Sequence, residues 1–113
     1  MTTCRLLFWN AGPHLHLSPA EVARELSFGE EVEGLIDLPV KEILDKLKLE
    51  FPQHEEQPGL LLLKAGGGAC EATWTWQHLR VDCRNVTESD RQRLIDTIEA
   101  LGCMAFEAGS PES

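Results

Sequence analysis

The run CEATWTWQHLRVDC, residues 70 to 83, gathers Cys70, Trp74, Trp76, His78, Asp82 and Cys83. A thiol, an imidazole and a carboxylate are the parts of a cysteine nucleophile with its base and orienting acid. Spacing argues against that chemistry. On a regular strand, neighbouring side chains point to opposite faces, so Asp82 faces away from Cys83, and His78 does too unless an irregularity intervenes. The expectation is a buried structural thiol at Cys83.

His14 and His16 are two apart and would project to the same side of a strand, where they could share a metal ion. They are the candidate metal ligands of this chain. A third ligand would have to come from His54, His78 or a cysteine brought near by the fold. With none at recognisable spacing, exposed turn histidines are the simpler reading, and no cofactor is expected.

KAGGGAC, residues 64 to 70, has the glycines of a phosphate loop but lies between two strands, with no helix after it and no G-K-[ST]. It reads as a hairpin turn. The carboxylate pairs Glu30 with Glu31 and Glu55 with Glu56 sit in polar segments, with no apolar pocket to raise a pKa for acid–base work. Trp74 and Trp76, about 7 Å apart along one strand face, would form a broad apolar platform. Such residues serve as core or, together with Trp9, as an interface.

The elements that position these residues follow from patterning. CRLLFW (4–9) is a buried strand bounded by NAGP. Ser18, Pro19 and Glu21 make a capping box with proline at the first helical position, and Leu17 is placed to staple against Val22. The helix is short, ending near Gly29. EEVEGLIDLP (30–39) is a loop or a brief extended segment. A second helix over 39–50 carries Val40, Ile43, Leu44, Leu47 and then Phe51 as its stripe, with Glu42 and Lys46 as an outer i,i+4 pair.

Residues 52–59 read as a surface loop, and LLLLK (60–64) as a buried strand. CEATWTW then alternates with Cys70, Ala72, Trp74 and Trp76 on one face. HLRVDCR alternates too, but in the other phase. A β-bulge or a break between two strands must lie near Gln77 and His78. Thr87 caps a third helix with Leu94, Ile95, Ile98 and Leu101 as its stripe, Gly102 ends it, and CMAFEA closes as a strand.

This order is that of a ferredoxin-like β-α-β-β-α-β two-layer sandwich with an extra short helix in the first crossover. It implies one α+β domain over 1–108 and a disordered tail at 109–113. With every helix on one face of the sheet, large side chains among Leu7, Trp9, Leu61, Trp74 and Trp76 would be left bare on the other. That argues for a homodimer formed through the sheet or for a protein partner.

Composition narrows the function. Ten basic and nineteen acidic residues give a net charge of −9, and residues 21–56 hold eleven of the acids and four of the bases. Nucleic acid needs a basic stripe, and Arg80, Arg84, Arg91 and Arg93 are interleaved with Asp82, Glu88 and Asp90, so no nucleic-acid partner is expected. No apolar run reaches the roughly 20 residues of a membrane span, and MTTCRLLFWNAGPHLHL is too interrupted for a signal peptide. Four scattered cysteines without a C-x-x-C pair fit free thiols in the cytoplasm, where the NVT sequon at Asn85 has no meaning.

The expected function is a non-catalytic protein-binding domain. It self-associates through its sheet and uses an acidic surface around Glu30, Glu31 and Glu33 to meet a basic protein, as an inhibitor of a basic toxin or enzyme would. The alternative is a small-molecule or metal-binding domain, conceivably a small cofactor-using enzyme, with a pocket near His14, His16, His78 and Trp76.

Overall fold

The computed structural model describes residues 2–108, so the tail expected at 109–113 lies outside the described residues. The chain runs β1 (Thr2–Ala11), α1 (Pro19–Ser27), β2 (Leu35–Ile36), α2 (Val40–Glu50), β3 (His54–Gln57), β4 (Leu60–Ala65), β5 (Gly68–Trp74), β6 (His78–Val86), α3 (Glu88–Glu99) and β7 (Met104–Glu107). The strands form a single antiparallel sheet in the order β2, β1, β6, β5, β4, β3, with β7 also paired to β1. The architecture is α+β.

β1 is the hub. One edge pairs with β6, from Cys4 opposite Cys83 to Trp9 opposite His78. The other edge takes β7 against Leu6–Trp9 and β2 against Asn10 and Ala11. A strand enclosed on both faces needs apolar residues in both phases, which is why CRLLFW is continuous rather than alternating. Cys4, Leu6 and Phe8 are buried on one face, and Leu7 and Trp9 on the other.

The first face forms the main core. Ile43, Leu44 and Leu47 of α2 and Leu94 and Ile98 of α3 cover Leu61, Leu63, Cys70, Ala72, Leu79, Val81 and Cys83. α1 lies on the second face, where Val22, Ala23 and Leu26 bury Leu7 and Trp9 and partly cover Phe106. The expectation that all helices share one face is therefore corrected. α1 fills the space that a second sheet was expected to fill, Leu61 lies under the other helices, and Trp9 is only 1% exposed. The observation from which sheet-to-sheet pairing followed is absent.

The rest of the second face is polar. Arg5, Arg80 and Asp82 stand there as an ion-paired group, with Arg5 Nε 2.8 Å from Asp82 Oδ1. Beside them the register sets Glu71 opposite Asp82, and Leu62, half-buried, opposite Glu71.

Two further readings change. Residues 54–57 are a strand, not part of a surface loop. HEEQ carries no apolar signal because β3 is the outermost strand with all four residues exposed, and charge on such an edge discourages pairing with other chains. On α2 the outer ion pair is Lys41 with Asp45, at 3.0 Å, rather than Glu42 with Lys46. Local signals elsewhere hold: the Ser18–Glu21 capping box is closed in both directions, and Thr87 caps α3 by accepting from the Asp90 amide. The glycine-rich turn joins β4 to β5, with Gly66 at φ 59° where a left-handed residue is needed.

Candidate functional site

The phase change at Gln77 and His78 is a break. Residues 70–83 form two strands, β5 and β6, joined by a tight turn in which the Thr75 amide donates to the His78 carbonyl at 2.9 Å. Thr75 organises the turn: its hydroxyl oxygen accepts from the amides of Gln77 (3.2 Å) and His78 (3.3 Å). That leaves the hydroxyl proton to reach His78 Nδ1, 3.0 Å away. Burial, and secondarily the Arg80 charge, push the His78 imidazole below its ordinary pKa, so the neutral ring that can accept this proton is favoured.

Ending β5 at Trp74 separates the two tryptophans. Trp74 is half-buried against the main core, whereas Trp76 sits in the turn with half its surface exposed. The expected platform does not exist, and Trp9 is core rather than interface. Trp76 alone of the three faces solvent broadly.

Sequence reasoning missed Gln77. It is only 3% exposed, and its carboxamide spans the backbone of Val32: Oε1 accepts from the Val32 amide at 2.9 Å, and Nε2 donates to the Val32 carbonyl at 2.8 Å. The Leu38 amide donates to the Trp76 carbonyl at 2.9 Å, making a second tie. The segment between α1 and α2 is thereby fastened to the β5–β6 turn. The one available signal was a polar residue at the point where the alternation changes phase.

Glycines bring the β1–α1 loop to the same place. The Gly12 amide donates to the Gly34 carbonyl at 2.9 Å, and a Cβ on Gly12 would lie 2.6 Å from that oxygen. Gly34 has φ 100°, and a Cβ there would meet the Leu15 backbone at 2.7 Å. Only glycine permits this crossing.

Two hollows flank the fastened loop. The larger, about 390 Å³, is lined by His14, His16, Leu17, Glu25, Glu31, Val32 and Glu33. The smaller, about 200 Å³, lies between Gly29, Glu30 and Glu31 on one side and Thr75, Trp76, Gln77 and His78 on the other. Glu31 borders both. His14, His16, Glu30, Glu31, Glu33, Trp76 and His78 thus come to one end of the molecule.

A still larger depression, about 610 Å³, runs past Glu50, Ser89, Gln92, Arg93, Asp96 and Thr97. It is a groove of ordinary helix-surface side chains with no aromatic or histidine, and is not a better candidate.

The chemistry available at the loop end is recognition of positive charge. Glu30, Glu31 and Glu33 are exposed on a backbone held from below, and an indole face attracts cations. His14 lies in a turn and His16 in the loop that follows it, not on a strand. Among the described residues no three His, Cys, Asp or Glu side chains converge on a point that could hold a metal ion.

The thiol and carboxylate of residues 70–83 do not meet. Cys83 is fully buried under α2 and α3 while Asp82 lies on the opposite face with Arg5. Burial, reinforced by Cys83, holds the Cys4 thiol up to about 12, and burial likewise raises Cys103.

No protein-family model, curated protein or solved structure matches this chain significantly.

Proposed function

We propose that this chain is a non-catalytic protein-binding domain that meets a basic partner through the acidic loop between α1 and β2 and the neighbouring Trp76. The observation that carries the reading is the Gln77 clamp. It spends a buried polar side chain on holding one short loop, and that loop presents Glu30, Glu31 and Glu33 beside a half-exposed tryptophan. A preordered anionic surface with an aromatic anchor loses little entropy on binding and attracts a cationic partner over long range. Inhibition of a basic toxin or enzyme would use such a surface. Four free, buried cysteines are consistent with a reducing compartment such as the cytoplasm.

We also read the middle of the sheet, β7, β1, β6 and β5 in that order, as a ferredoxin-like split. In this reading α1, β2, α2 and the β3–β4 hairpin are all carried in its first crossover, and α3 in its second. The strand order and the antiparallel pairings support it.

The test is an amide-resolved titration with an arginine- and lysine-rich peptide at two salt concentrations. Shifts confined to residues 28–34 and the Trp76 indole support the reading. Shifts spread over Glu42, Glu50, Asp96 and other acids, without focus, would remove it.

The hollow of about 390 Å³ favours a second reading, a small organic cation held between the histidines and Glu25, Glu31 and Glu33. Binding of such a cation that is lost in a His14→Ala, His16→Ala variant, with peptide binding unaltered, would select it.

A further inference from the structure

Three of the four cysteines lie in one row across the sheet. Cys83 on β6 is directly opposite Cys4 on β1 and directly opposite Cys70 on β5, and all three face the main core. The Cys70 and Cys83 sulfurs are 3.3 Å apart and share a hydrogen bond. We propose that Cys70 and Cys83 are a site of reversible covalent modification, a dithiol that closes into a cross-strand disulfide without unfolding the sheet.

The backbone geometry suits that bond. In an antiparallel ladder, hydrogen-bonded and non-hydrogen-bonded pairs alternate. The Thr75–His78 backbone bond fixes the phase. Counting along the register, Thr73–Arg80 and Glu71–Asp82 are hydrogen-bonded pairs, and Cys70–Cys83 is a non-hydrogen-bonded one. Such pairs bring the Cα atoms to about 4.5 Å, within the range of about 4.4–6.8 Å that disulfides span. Closing the bond therefore asks mainly for side-chain rotation.

The reaction balances with a low-molecular-weight disulfide as oxidant. When the helix layer lifts transiently from the intact sheet, Cys70, 2% exposed against none for Cys83 in the closed state, loses its proton and attacks one sulfur of the oxidant, releasing one small thiol. Cys83 then loses its proton, attacks the Cys70 sulfur of the mixed disulfide and expels the second small thiol. Two protein thiols are oxidised and one small disulfide is reduced to two thiols. The hydrogen bond shared with Cys70, and then burial, hold the Cys83 thiol protonated, so the exchange is slow. The bond encloses the turn that carries Trp76 and Gln77, and so stiffens the hairpin.

The experiment is equilibration of the native protein in buffers of graded oxidised to reduced glutathione, acid quenching, alkylation and peptide mapping, with circular dichroism throughout. The expected product is a monomer lighter by two hydrogen atoms, with Cys70 joined to Cys83, an unchanged spectrum and a higher denaturant midpoint. Cys4→Ser should form the same bond, and Cys70→Ala should form none. The proposal is overturned if all four thiols stay free while the fold persists, if Cys4 is joined to Cys83 instead, or if the bond appears only under conditions that unfold the chain. The wild-type map decides the matter even if a variant fails to fold.

Discussion

The carboxamide of Gln77 occupies both hydrogen-bonding groups of the Val32 backbone, at 2.9 and 2.8 Å, across 45 positions of sequence. Gln77→Ala leaves an amide and a carbonyl without partners at a site that is almost dry. At about 1–3 kcal/mol for each unsatisfied group, softened by some entry of water, the loss should be about 2–4 kcal/mol. Urea unfolding measures it, and hydrogen exchange should show the Val32 amide losing protection before the rest of the sheet.

The acidic loop should govern encounter rather than stability. Reversing Glu30, Glu31 and Glu33 to lysine should slow association with a basic partner by about tenfold or more at low salt. It should also flatten the salt dependence, while thermal stability moves little because all three side chains are exposed. Stopped-flow association at several ionic strengths reads both quantities. Unchanged rates would take this loop out of the binding account.

The tryptophans should divide by burial. Trp9→Ala removes a side chain 1% exposed beneath α1 and should cost about 3–5 kcal/mol of stability. Trp76→Ala removes a half-exposed side chain and leaves in place the bond from the Leu38 amide to the residue 76 carbonyl. It should change stability by about 0.5 kcal/mol or less, yet cost about 2 kcal/mol or more in partner binding. Chemical denaturation and calorimetric titration of the two variants separate these effects.

Acidity should act through His78. Its pKa in the fold lies below the ordinary value because the ring is buried and near Arg80. The unfolded chain therefore takes up the proton first, and stability falls as pH drops through the usual histidine value near 6.5 toward the lower folded value. Above that range this group makes no pH-dependent contribution. His78→Gln should flatten the slope of unfolding free energy below about pH 6.5, as urea midpoints on the acid side of that value would show.

Much of this architecture is written locally. Ser18, Pro19 and Glu21 mark the start of α1, and Thr87 marks α3, because caps are short-range hydrogen bonds made by a few adjacent residues. What lies beyond local pattern is the side of the sheet a helix takes. α1 is amphipathic in either case, and only the tertiary arrangement places it over Leu7 and Trp9. HEEQ is invisible as a strand because an outermost strand with every residue exposed has no buried face to alternate. The site was legible as a set of residues, since Glu30, Glu31, Glu33, His14, His16, His78 and Trp76 do meet at one end. Its keystone, Gln77, was not, because a glutamine clamping a distant backbone leaves no periodic trace.

The position of β1 also has a kinetic consequence. Its long partner is β6, so that Arg5 meets Asp82 across 77 positions of chain, and its other edge waits for β7. During synthesis β1 emerges well before β6 and β7, which leaves Leu6, Leu7, Phe8 and Trp9 without these partner strands until residue 107 is free. Such dependence on distant pairing puts folding toward the slower end for domains of this size. During that interval the unpaired β1 is the segment for which a chaperone would compete.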